Sequence, residues 1–167
     1  MNGSYIHIFH LIAFGLVSAT LIPGIVLNRK LVAEKDLGTK MQIGGVMRIF
    51  GAFAVYNVIL LLITGIGNIY NRYSGTNIAW YSESWLVIKI ILFAILALNG
   101  LFVAPNLMKN RMMIIKSLAD KTASVDTGQK LSSCDKKVSL FFIIQTVLLL
   151  AVLYLSVFGP GKHPGLF

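Results

Sequence analysis

The sequence predicts an all-α integral membrane protein, a four-helix bundle whose N-terminus and C-terminus both lie outside the cytoplasm. Three observations predict it: four long apolar stretches, a low content of charge, and an uneven distribution of basic residues. Of the 167 residues, 56% are hydrophobic and 13% are charged, whereas a soluble domain has about 25% charged residues. The length allows one domain, so we expect a single transmembrane domain over residues 1–167.

Each of the four apolar stretches is about as long as a bilayer is thick. A helix rises about 1.5 Å per residue, so roughly 20 residues cover the hydrocarbon core of about 30 Å. Backbone amides cannot stay unpaired in lipid, and an isolated apolar stretch therefore spans as a helix. The segment before the first span lacks the Lys and Arg of a cleaved signal peptide, so we expect this span to be a retained anchor. The predicted spans are residues 6–27, 49–69, 85–104 and 138–158.

Prolines and polar stretches predict where the helices end. Pro23 should kink or end the first helix and Pro105 should close the third, because proline has no N–H to donate. Residues 70–84 are rich in Tyr and Trp, which is typical of a loop along the membrane surface. Residues 105–137 form the longest polar segment. Its first part is compatible with an amphipathic helix, and residues 122–137 are typical of a flexible connector.

The distribution of Lys and Arg predicts the orientation. Residues 28–48 hold five of them and residues 105–137 hold seven, out of 15 in the chain. Basic loops stay in the cytoplasm, which places both termini outside, in a bacterial inner membrane. The net charge of +9 then reflects topology and attraction to anionic lipid headgroups. The expected partner is the lipid bilayer, and no nucleic-acid partner is expected.

Lys89 is a charged residue inside the third predicted span, where burial of charge is costly and points to function by default. It lies about 6 Å from the start of that span. Its side chain can therefore extend to the outer interface, or form a structural ion pair with Glu83. The alternative is that Lys89 binds a ligand or a cofactor propionate. Both interpretations stay open at this point.

The three histidines are all predicted on the outer side. His7 and His10 are three residues apart, on roughly one face of the first helix, and His163 lies in the C-terminal tail. Imidazole suits copper, zinc or iron, so the three residues form a candidate metal site. His10 is the preferred ligand because it lies deeper. The alternative is a pair of histidines at a helix end without any metal.

Three amide side chains occupy three different predicted spans: Asn57, Asn99 and Gln145. Such groups form hydrogen bonds between helices, and the alternative is a polar ligand site or a proton route. No Asp or Glu lies within a predicted span, which argues against a transporter that uses a buried carboxylate. The chain also lacks a Ser/His/Asp set, a Gly-rich phosphate loop and a CxxC motif, which excludes the usual signatures of hydrolase, nucleotide and thiol-redox chemistry.

Four short motifs carry a resemblance to a known family. They are Leu-Ile-Pro at 21–23, Met-Arg-Ile-Phe at 47–50, Thr-Gly-Ile-Gly-Asn at 64–68, and Trp-Leu followed by Lys at 85–89. Together they span roughly residues 5–105, and the chain resembles the small CopD-like proteins of the bacterial inner membrane. This grouping includes copper-resistance CopD, four-span relatives and, more distantly, the HemJ protoporphyrinogen oxidases.

The resemblance implies roles for particular residues. His10 (or His7) matches the histidine of the first span, and Lys89 matches the lysine of the third. HemJ-like proteins carry a second haem-ligating histidine in the third span, where this sequence has Asn99 and Gly100. The resemblance therefore does not imply haem held by two histidines.

The sequence leads to three functional hypotheses. The first is a non-enzymatic CopD-like protein that binds a small ligand or metal at its outer face, or serves as a subunit of a larger membrane complex or homo-oligomer. The second is a haem-binding redox protein with His10 as axial ligand. The third is a lipid- or partner-binding scaffold. The candidate cofactors are haem and copper, and the candidate cofactor-binding residues are His10, Lys89 and Asn99.

Overall fold

The computed structural model describes residues 3–122, 124 and 126–159 and contains no strand within that part of the chain. This confirms the all-α prediction. Five α-helices are present, and a five-residue π-helical segment, Asn99–Val103, joins the third to the fourth. These two helices form one continuous rod, so the molecule is a bundle of four rods. The helices are α1 (Gly3–Ala33), α2 (Leu37–Tyr73), α3 (Ser84–Leu98), α4 (Ala104–Ala119) and α5 (Thr127–Phe158).

The π-helical segment explains why Pro105 does not end the third rod, as the sequence had predicted. The N–H of Ala104 donates to the carbonyl of Asn99, five residues back. A π-turn widens the helix locally, which makes room for the proline ring at the start of α4. Pro23 does not end α1 either, since this helix continues to Ala33.

The predicted flexible connector at 122–137 is also wrong over most of its length, because α5 begins at Thr127. The reason is an apolar stripe on α5 that begins several residues before the predicted span 138–158. Leu131, Cys134 and Val138 recur at helical spacing and pack into the core against α4. Cys134 is therefore buried and does not lie in an open loop.

The core has two parts, one at each half of the bundle. In one, Leu31 of α1, Ile115 of α4 and Val138 of α5 are buried together. We call this half the basic end, because the basic segments 28–48 and 105–137 surround it. In the other half, a smaller cluster joins α1 to α2. We call that half the His10 end.

Most of the apolar surface remains outside these two clusters. Each rod contains an apolar window long enough to cross a membrane, and only 11 to 28% of each window is buried. Large side chains such as Ile63, Phe102 and Ile143 are more than 60% exposed. A soluble protein does not expose apolar surface on this scale. The chain is thus a multi-pass membrane protein whose rods contact lipid, and the outward orientation of its termini stays a prediction.

The turn between α1 and α2 is held by two carboxylates. Asp36 caps α2, and its Oδ2 accepts hydrogen bonds from the backbone N–H of Thr39 at 2.7 Å and from the Thr39 hydroxyl at 2.8 Å. Glu34 accepts from the backbone N–H groups of Lys35 and Asp36. These backbone hydrogen bonds favour the charged forms and lower the pKa of both carboxyl groups.

We expect Asp36→Ala to lower the apparent melting temperature of the detergent-solubilised protein by a few degrees at neutral pH. Because the pKa of Asp36 is lowered on folding, its stabilising effect is present above about pH 4 and is lost as the pH falls below that value. The difference between wild type and variant should therefore shrink on acidification. Asp126 precedes α5 without a side-chain capping bond, so Asp126→Ala is the matched control. An equal decrease of the melting temperature in both variants at neutral pH would refute the capping role of Asp36.

Candidate functional site

His10 lies between α1 and α2 and is held by one side-chain hydrogen bond. Its Nδ1 lies 3.0 Å from the Oγ1 atom of Thr64. Thr64 is buried, and its hydroxyl donates to the backbone carbonyl of Leu60 at 2.8 Å. The only hydroxyl proton is thereby used, so Thr64 Oγ1 can only accept from His10. We therefore assign the proton to Nδ1.

This assignment determines the state of the other ring nitrogen. A neutral imidazole protonated at Nδ1 has a lone pair at Nε2. Within the part of the chain that the structure describes, the hydrogen-bond partner of the ring is Thr64 Oγ1 on α2, which contacts Nδ1. His10 is thus oriented as metal-binding histidines are, with one nitrogen anchored by a protein acceptor and the other open.

A glycine allows this ring to lie against α2. A Cβ atom at position 65 would be 3.3 Å from Cε1 of His10, which is tighter than ordinary contact. Thr64 and Gly65 are also the first two residues of the motif at 64–68. The structure therefore brings His10, which the resemblance matches to a first-span histidine, into direct contact with the Thr-Gly of this motif.

Basic groups surround the same end of the bundle. Lys89 is half-buried on α3 and acts electrostatically on His10, and Arg72 at the end of α2 acts on Lys89. The Arg72 guanidinium lies 5.5 Å from the Trp85 ring and 5.9 Å from the Tyr73 ring. Aromatic faces stabilise a cation at these distances. This arrangement suits an acidic ligand.

One carboxylate lies close to these cations. Glu83 is buried, and its Oε2 accepts a hydrogen bond of 3.0 Å from the indole N–H of Trp85. It precedes α3 and is fixed at the mouth of the cluster by this bond. Lys89 and Arg72 thus lie at the same end of the bundle as the carboxylate of Glu83, which Trp85 holds in place.

Comparisons with protein-family models, with curated proteins and with solved structures gave no match.

The predicted three-histidine metal site is only partly described. His7 is exposed, three residues before His10, and acts on it electrostatically. His163 lies outside the described residues. Among the residues that are described, no group of three His, Cys, Asp or Glu side chains could hold a metal ion. The metal site of His7, His10 and His163 stays a prediction.

The described residues offer haem one histidine ligand and two cations for its propionates, but no second histidine ligand on the third rod. The open Nε2 of His10 can bind one axial position of the iron, and Lys89 and Arg72 can neutralise propionates. Among the described residues, α3 and the π-helical segment offer no histidine for a second bond to the iron: Asn99 begins that segment, ten residues beyond Lys89 and roughly 15 Å along the helix. The cofactor-binding role of Asn99 stays a prediction.

Two of the three amide side chains connect helices as expected. Asn57 donates to the carbonyl of Leu16 on α1 at 3.4 Å. Gln145 is buried on α5 and donates to the carbonyl of Leu96 on α3 at 3.2 Å. A Cβ atom at Gly100 would be 3.1 Å from the Gln145 amide nitrogen. Gln145 thus packs directly against the π-helical segment.

Sequence reasoning missed a polar network at the basic end. Arg111 of α4 is 1% exposed, donates to Oδ1 of Asn28 at 2.8 Å, and lies 2.6 Å from Oδ1 of Asp135. Asn28 in turn donates to the hydroxyl of Ser139 at 3.1 Å. Four side chains from α1, α4 and α5 are joined in this way: the ion pair connects α4 to α5, and Asn28 connects α1 to both.

Proposed function

We propose that this chain is a CopD-like protein of the bacterial inner membrane that binds a small acidic ligand near its outer face, without catalysing a reaction. The observation that carries this proposal is the pair of cations Lys89 and Arg72, which lie at the same end of the bundle as the neutral ring of His10. Cations at low polarity attract carboxylates strongly. The apolar rods around them favour a ligand with an apolar body.

The same proposal includes an orientation. Twelve of the 15 Lys and Arg residues belong to the two basic segments, and the segments meet at one end of the bundle through the contacts of Arg111. Basic residues are retained in the cytoplasm. The His10 end then faces outward, and a partner subunit or second copy could complete the site there.

Haem is the second candidate, and the hydrogen bond of His10 to Thr64 favours it specifically. This bond leaves Nε2 free to bind the iron of an acidic, apolar porphyrin. In that case His10 would be the axial ligand, and Lys89 and Arg72 would bind the propionates. Bound haem would supply one-electron redox chemistry.

Two related probes separate these candidates. Haem and metal-free protoporphyrin IX have the same carboxylates, but only haem can be coordinated by a histidine. For a haem site, His10→Ala should abolish the Soret band of the haem complex and leave protoporphyrin binding nearly unchanged, whereas Lys89→Gln should weaken both. For a site specific to acidic ligands, Lys89→Gln should weaken both probes to a similar extent, and His10→Ala should have the same small effect on both.

His7→Ala is the matched control, since His7 lies on the same helix but is exposed. Its binding of both probes should match that of wild type. If wild type binds neither porphyrin, and metal analysis of the purified protein is also negative, haem is excluded. Binding of small carboxylates that is insensitive to Lys89→Gln and His10→Ala would refute the site itself.

A further inference from the structure

A groove lies at the basic end of the bundle, away from His10. It runs between α4 and α5 and has a volume of about 700 Å³. Its walls combine Lys130 and Lys137 of α5 with hydroxyl and amide side chains, including Ser133, Ser117 and Asn110. None of these five side chains has a role in the proposed ligand site.

The charge of this groove is wholly positive among the described residues that line it. Lys130 and Lys137 contribute two cations, and no Asp or Glu is part of the lining. A neighbouring groove between α1 and α5 differs, because Asp135 lines it together with Lys136, and that carboxylate pairs with Arg111. The groove between α4 and α5 is thus suited to an anion, and the side chains of Ser133 and Asn110 can donate to anionic oxygens.

The groove also has an apolar wall, and Leu107, level with Cys134, is its residue nearest the membrane. Leu107, Met113 and Ile114 line its α4 side, and Met113 is 53% exposed. Lys137 directly precedes the apolar stretch that begins at residue 138. A molecule that fills this groove would have its anionic part beside the lysines and an apolar part against α4, at the surface of the bilayer.

We propose that the groove between α4 and α5 binds the phosphodiester headgroup of an anionic phospholipid. Lys130 and Lys137 hold the phosphate, Ser133 and Asn110 donate hydrogen bonds, and an acyl chain passes Leu107 into the bilayer. Basic pockets between transmembrane helices are suited to such headgroups because the phosphate stays at the interface while its chains remain in the bilayer. This inference is independent of any ligand at His10.

The test is a titration of the full-length protein in neutral detergent with short-chain phosphatidylglycerol, using short-chain phosphatidylcholine as the zwitterionic reference. The variant is Lys130→Gln/Lys137→Gln. Its matched control is Lys109→Gln/Lys116→Gln, which removes the same charge from exposed positions of α4 that do not line the groove. We expect the first double variant to bind phosphatidylglycerol roughly 10- to 30-fold more weakly than wild type. The affinity of the control variant for this lipid should change by less than about twofold.

Two further measurements make the result decisive. Lys130→Arg/Lys137→Arg keeps both charges and should retain most of the affinity, which distinguishes lost binding from lost folding. Glycerol phosphate has the anionic group without acyl chains and should bind far more weakly than the lipid. Equal weakening by both Gln double variants would show diffuse charge attraction and overturn the proposal. If glycerol phosphate binds as tightly as the lipid, the ligand of this groove is a soluble phosphate compound and not a phospholipid.

Discussion

Replacement of Arg111 by methionine should lower the free energy of unfolding by about 3–5 kcal/mol. Arg111 is almost fully buried, and its guanidinium is bonded to Asn28 and paired with Asp135. Methionine fills similar space but leaves the carboxylate of Asp135, only 14% exposed, without its cation. The unpaired buried charge, more than the lost attraction, causes the destabilisation. Unfolding of the detergent-solubilised protein by a denaturing detergent, followed by far-UV circular dichroism, measures it.

Two comparisons identify the ion pair as the cause. Lys109→Met removes a charge from an exposed position of the same helix and should have little effect on stability. Arg111→Met/Asp135→Leu removes both charges and should recover most of the loss, since a buried pair replaced by apolar residues is often no less stable. A double variant as unstable as Arg111→Met would show that packing of the arginine stem, and not charge pairing, stabilises the basic end.

The Arg111 network shows where reasoning from the sequence reached its limit. Counting basic residues predicts topology but treats every Lys and Arg alike. Arg111 differs from the others in its neighbours, since Leu107, Ile115 and Leu118 lie on the same helical face. That spacing was the available signal for burial. The partner Asp135 could not be found, because residues 122–137 were expected to be a flexible connector.

The rods themselves were predictable because bilayer thickness sets their length. Their ends were not, since proline and polar stretches are weaker signals than apolar length. Pro105 is accommodated by the π-helical segment, and the beginning of α5 is ordered by the apolar stripe through Cys134. In both cases tertiary packing outweighed the local signal.

At the candidate site, the sequence identified His10 and Lys89 but not Thr64. The missing information was the register of α1 against α2. Once the turn at 34–36 is known, the register follows: His10 contacts Thr64, Leu16 contacts Asn57, and Ile6 packs at Gly67. The residue numbers in each of these pairs add up to 73 or 74. Hydropathy alone placed the turn within a segment 21 residues long, 28–48, and left the register undetermined.

Thr64→Val should weaken haem binding by about 10- to 100-fold, if haem is the ligand of His10. Residues that orient a metal-binding histidine typically have effects of this size. Valine has nearly the shape of threonine but cannot accept from Nδ1, so the ring loses both its fixed orientation and its fixed tautomer. Haem titration followed at the Soret band measures the loss. Thr64→Ser keeps the hydroxyl and is the matched control, with affinity close to that of wild type.

The orienting role of Thr64 can be measured even without a ligand. In protein labelled with ¹⁵N at histidine, the Nδ1 resonance of His10 should show a protonated nitrogen and the Nε2 resonance an unprotonated one. In Thr64→Val the two tautomers should mix, because the hydroxyl that selects one of them is gone. A wild-type ring protonated at Nε2 would instead direct a donor toward the proposed iron position. That result would exclude iron coordination through Nε2 while leaving the attraction of Lys89 and Arg72 for carboxylates intact.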